Sequence, residues 1–82
     1  MNSAPDYPLL RRLLGEGELS VQVKQSLVHA LNDPGTTEWR AAGNTLQIDV
    51  YKVDGRVELF DLLEGPDAPA QTISIEDLKA AF

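Results

Sequence analysis

The side chains able to do chemistry in this 82-residue chain are mostly carboxylates, and they gather late in it. Residues 49 to 77 hold Asp49, Asp54, Glu58, Asp61, Glu64, Asp67, Glu76 and Asp77 against Lys52 and Arg56, which accounts for the whole net charge of −6. Two acids on one face at a fixed separation can act as general acid and base when one pKa is raised. Asp49 and Glu58 share a face as diagonal neighbours, but both are expected to be solvated; Asp49 and Asp61 point to opposite faces. Asp61, Glu64 and Asp67 share a loop edge that could weakly hold a hard cation, yet they lack the spacing of a calcium loop. His29, the only histidine, has no second ligand beside it. Ser20, Ser26 and Ser74 are explained by capping or by a helix surface. The glycines stand singly, never as a phosphate-cradling GxGxxG or GxxxxGK. No catalytic residue, metal ligand or cofactor site is predicted.

The acids are positioned by residues 45–63, TLQIDVYKVDGRVELFDLL, whose alternation on either side of Asp54-Gly55 predicts a β-hairpin. With Val53 opposite Arg56, Tyr51 faces Glu58 and Asp49 faces Phe60. One face then presents Leu46, Ile48, Val50, Val57, Leu59 and Leu63 to a core. The other is mixed, with Gln47, Asp49, Tyr51, Val53, Glu58, Phe60 and Leu62. Asp61 interrupts the core face; a frayed strand end, a bulge or a buried ion pair would each account for it, and fraying is preferred. An earlier strand over residues 36–42, closed by a Gly43-Asn44 turn, sets Trp39 on the core side opposite Ile48.

Helices flank these strands. DYPLLRRLLG predicts a short one, with Asp6 or Tyr7 as cap, Pro8 in the first turn and Gly15 as the stop. Its stripe is Leu9, Leu10, Leu13 and Leu14, with Arg11 and Arg12 opposite. A second helix, from residue 19 or 20 to 31, repeats Leu19, Val23, Leu27 and Leu31 at every fourth position, joined by Val28 and Ala30. EGPDAPAQT reads as an exposed acidic loop. Ser74 and Asp77 then resemble a capping box, with Ile73 and Leu78 as a hydrophobic staple, for a last helix over residues 75–82. The expected architecture is α+β: two N-terminal helices, a three-stranded antiparallel meander and a short C-terminal helix (ααβββα). Residues 1–82 form one domain, with 1–5 disordered.

A domain of this size has a thin core, so a deep substrate cavity is not expected. There is no cysteine, hence no disulfide framework. Neither a signal peptide nor an apolar run of about 18 residues is present, so a soluble cytoplasmic protein is expected. The acidic excess repels nucleic acid and anionic membrane and attracts a basic partner. Aromatic rings among carboxylates suit protein binding, and Asp49, Tyr51, Glu58, Phe60, Glu64 and Asp67 are the expected contacts. The rival is that the N-terminal helix folds over Tyr51, Phe60 and Leu62.

Over residues 45–82 the strand pair IDVYKVDGRVELFDLL followed by the capped ISIEDLKAAF resembles the small acidic immunity proteins of bacterial toxin and immunity pairs. The resemblance implies a non-enzymatic inhibitor that binds a basic toxin domain, often a nuclease, and blocks it with carboxylates. It assigns no residue a role. Two other classes remain open: a homodimeric regulatory or structural module, and an anionic mimic of nucleic acid.

Overall fold

A computed structural model describes residues 7–15, 17–65 and 67–81 of the chain; the disorder expected for residues 1–5 lies outside them. The elements run α1 (Pro8–Leu13), α2 (Val21–Asn32), β1 (Glu38–Ala42), β2 (Leu46–Tyr51), β3 (Arg56–Asp61), β4 (Gln71–Ser74) and α3 (Ile75–Ala80). The α+β class is as expected, but the meander has four strands in the order β1-β2-β3-β4 rather than three. β4 falls where the acidic loop was expected to continue. Its four residues hold only one large apolar side chain, Ile73, too little alternation to stand out. Ile73 nevertheless completes a row of paired residues across the sheet, Trp39, Val50, Val57 and Ile73, and is buried.

Both hairpin registers differ from expectation by two residues. The β2–β3 turn spans four residues, because Lys52 leaves the ladder: its N–H donates to the Thr37 carbonyl at 2.8 Å and its ammonium to the Ala30 carbonyl at 2.6 Å and to the Asp33 carbonyl. Lysine thereby caps the C-terminus of α2, where the helix dipole favours a cation. Of the Asp54-Gly55 pair only Gly55 has positive φ, at 67°. Tyr51 consequently pairs with Arg56, Asp49 with Glu58 and Gln47 with Phe60. In the β1–β2 connection Ala42 pairs with Gln47 and the Gly43 N–H donates to the Leu46 carbonyl at 2.7 Å, which moves the corner to Asn44-Thr45. A shift of two preserves the period of the side chains, so every strand residue keeps its face.

All three helices lie on the aliphatic side of the sheet. Leu10 and Leu13 from α1, Leu27 and Leu31 from α2 and Leu78 from α3 join Leu19 and the strand residues Leu46, Ile48, Val50, Val57, Leu59 and Ile73 in one core. Leu14 and Val28, expected in the helix stripes, are exposed, and so is Leu63, which lies beyond the end of β3. Trp39 is half-buried against this core with its indole N–H donating to Ser26 Oγ at 3.1 Å. Ser20 caps α2 and Ser74 caps α3, each accepting the N–H three residues on. The Asp77 carboxylate does not complete a capping box; it accepts the Tyr7 hydroxyl at 3.0 Å.

Gly43 is required by close approach. A Cβ there would stand 2.5 Å from both the carbonyl and the Oε2 of Glu18, whereas one at Gly35 would meet only Asp33 Oδ1 at 3.4 Å. Gly43→Ala should therefore lower the urea-unfolding free energy by about 1–3 kcal/mol. Gly35→Ala should change it by less than about 1 kcal/mol in either direction.

Candidate functional site

The side of the sheet away from the helices presents three rows of side chains: Glu38, Tyr51, Arg56 and Ser74; Arg40, Asp49, Glu58 and Thr72; Ala42, Gln47 and Phe60. α1 does not cover them. It lies on the core side, where the Leu9 N–H donates to Gln71 Oε1 at 3.0 Å and Arg12 reaches Asp61. Among the described residues no helix crosses this open face, and Tyr51 and Phe60 remain half-buried.

The corrected register sets Asp49 directly opposite Glu58 rather than diagonally. Like charges across a strand pair repel, and each has its own cation: Arg40 Nε lies 3.4 Å from Asp49 and Arg56 Nε lies 3.7 Å from Glu58. Asp49 was expected to be solvated, yet it is only 6% exposed. Its neighbours close over it. Gln47 Nε2 donates to Oδ1 at 3.1 Å, and the Tyr51 hydroxyl makes a long contact of 3.5 Å to Oδ2. Both carboxylate oxygens are thus engaged inside the face, which makes Asp49 a support for Gln47, Tyr51 and Arg40. Tyr51 in turn stacks beneath Arg56, whose guanidinium carbon is 4.5 Å from the ring centroid, a cation–π distance.

Phe60 stands at the opposite end of the face, where it lines a cleft of about 360 Å³ with Gln47, Asp61, Leu62, Gly65 and Ala68. Glu64 and Asp67 are exposed on the same loop. The six expected contact residues therefore form two groups. Asp49, Tyr51 and Glu58 interlock at the centre, while Phe60, Glu64 and Asp67 lie around the cleft.

Asp61 is neither frayed nor bulged. It pairs with Leu46 at the end of β3 and accepts two hydrogen bonds from Arg12, at 2.5 and 3.4 Å, and one from the Leu63 N–H at 2.9 Å. Arg12 also donates to Thr45 Oγ1 at 2.9 Å, and Thr45 donates to Glu18 Oε1 at 2.5 Å. Glu18 Oε2 accepts the N–H groups of Thr45 and Leu46 at 2.7 and 3.0 Å. This chain of contacts fastens α1 and the segment before α2 to the strand ends beside the cleft. The Arg12 hydrogen bonds hold the Asp61 carboxyl below the usual range. For Glu18, burial pushes the pKa up, but the Thr45 and Leu46 donors and Arg12 together prevail and hold it down. The sequence contains the charges of this network but no spacing that joins residues 12, 18, 45 and 61.

Among the described residues no group of three or more metal-ligating side chains is placed to hold an ion, and no helix is long and apolar enough to cross a membrane. No protein-family model matches this chain, and neither a curated protein nor a solved structure is similar to it.

Glu18 and Asp61 both have folded-state pKa values below the unfolded ones, so the unfolded chain binds more protons and acid favours it. The stability they contribute is complete at neutral pH and should be lost as the pH falls below about 4.5. Urea midpoints measured from pH 7 to pH 3 should fall, and the fall should be shallower in Asp61→Asn and in Glu18→Gln, each of which starts from a lower midpoint at pH 7.

Proposed function

We propose that this chain is a non-enzymatic protein-binding module that docks a basic protein domain on the open face of its sheet. The observation that carries the reading is that α1, α2 and α3 all lie on one side, so that no helix lies over the half-buried Tyr51 and Phe60 on the other. Aromatic side chains set in a polar surround are the usual anchors of protein interfaces. The charge distribution supports a basic partner. Glu58, Glu64 and Asp67 border the face or its cleft, whereas α2, on the far side of the molecule, contains no acidic residue. Arg40 and Arg56 interrupt the acids of the central rows, which argues for a partner with a patterned surface and against a mimic of the uniform nucleic-acid backbone. A toxin domain neutralised by an immunity-type inhibitor fits this chemistry, in keeping with the resemblance of residues 45–82.

The reading is tested by titrating the chain against a purified cationic toxin domain encoded beside it, at several salt concentrations. Tyr51→Ala should weaken binding by roughly 30-fold, as loss of a central aromatic anchor costs about 2 kcal/mol. Glu58→Lys and Glu64→Lys should slow association and flatten its salt dependence. His29→Ala, on the exposed side of α2, should leave affinity unchanged. Affinity indifferent to all three face substitutions would reject the reading, and a mass that doubles with concentration would favour pairing between copies through the β1 edge.

A further inference from the structure

The two aromatic rings of the open face are treated differently. Tyr51 is covered by this chain's own Arg56 at 4.5 Å, while among the described residues no cation lies over Phe60. Phe60 instead forms a wall of the 360 Å³ cleft. That volume is at the low end of the roughly 300–1,000 Å³ of ligand sites, enough for one long side chain.

Acceptor oxygens outnumber donors among the polar side chains around the cleft. Gln47 donates one of its two Nε2 hydrogens to Asp49 and keeps its side-chain carbonyl oxygen as an acceptor. Asp61 is already paired with Arg12 at 2.5 Å, and the charges of Glu18 and Glu64 also act on that guanidinium, so one cation is shared by three carboxylates. Asp67 adds a fourth from the loop that holds Gly65 and Ala68. The surroundings of the cleft are therefore net negative.

A planar π face, a carbonyl acceptor and a negative field together match a guanidinium. Arginine stacks on aromatic rings and sheds water more readily than the compact ammonium of lysine. We propose that the cleft beside Phe60 is an anchor pocket for one arginine side chain of the docking protein. This rests on the reading of the open face as a docking surface and specifies which residue type of the partner enters it. The occupant is a side chain of a protein, because the cleft opens at the end of the proposed docking face.

The test uses the full isotope-labelled chain and three probes: N-acetyl-arginine N-methylamide and its lysine and citrulline counterparts. Blocked arginine should give saturable chemical-shift changes confined to Gln47, Phe60, Gly65 and Ala68. The neutral citrulline probe should bind at least about fivefold more weakly, and Phe60→Leu should weaken the arginine probe by about the same factor. Lysine should fall below arginine. Citrulline binding as well as arginine, or no saturable change, would overturn the proposal. The two readings fail separately. A cationic domain that docks with undiminished affinity on Phe60→Leu removes the arginine pocket and leaves the docking face. A pocket that takes blocked arginine, in a chain whose Tyr51→Ala, Glu58→Lys and Glu64→Lys variants bind the domain unchanged, supports the pocket and removes the proposed docking face.

Discussion

Six aliphatic side chains, Leu46, Ile48, Val50, Val57, Leu59 and Ile73, project from the same side of one small sheet, and the rest of the molecule is arranged to keep water from them. α1 and α3 have six residues each and α2 has twelve. None is long enough to persist alone in water, so their helicity depends on docking. Because the aliphatic side chains share one face, all three helices must share it too. Polar contacts then fix their positions at the margin of the core: Tyr7 on Asp77, the Leu9 N–H on Gln71, Arg12 on Asp61 and Lys52 on the last turn of α2.

The other face has to remain soluble without a covering layer, and it does so by pairing its own charges. Arg40 answers Asp49, and Arg56 answers Glu58, Asp54 and the Tyr51 ring. A solvent-exposed ion pair such as Arg56 with Asp54 contributes about 0–1 kcal/mol, so it does little to hold the fold. The consequence of these pairings lies in what they leave over. The centre of the face is electrostatically matched within itself, whereas among the described residues no ion pair engages Glu64 or Asp67 at the end near Phe60. The proposed basic partner would therefore meet a patterned middle and a more acidic edge, and the edge would exert the stronger long-range attraction.

Alternation in residues 45–63 made the two faces legible before any coordinates, since side-chain period depends only on parity. Register was not legible in the same way. Asp54-Gly55 is a strong turn signal, but Lys52 has a better use for its ammonium at the end of α2, and that tertiary contact lengthens the turn. Gly43 suits a turn by its sequence neighbours, but its constraint in the fold is the approach of Glu18. β4 leaves no local signal because QTIS contains a single large apolar residue, and a four-residue strand is specified by the neighbour it pairs with. The buried state of Asp49 and the pairing of Asp61 share that origin. Each depends on side chains brought from distant positions, Arg40 for the one and Arg12 for the other, and no local spacing encodes such meetings.

The central claim is that Tyr51 and Phe60 face solvent across a sheet whose helices are all behind it. Relaxation of side-chain protons by a soluble, uncharged paramagnetic agent measures this directly in the free protein. The ring protons of Tyr51 and Phe60 should relax several times faster than the methyl protons of Leu27, Leu46 and Leu59. Rings as well shielded as those methyl groups would mean that part of the chain covers the face, and would contradict the account.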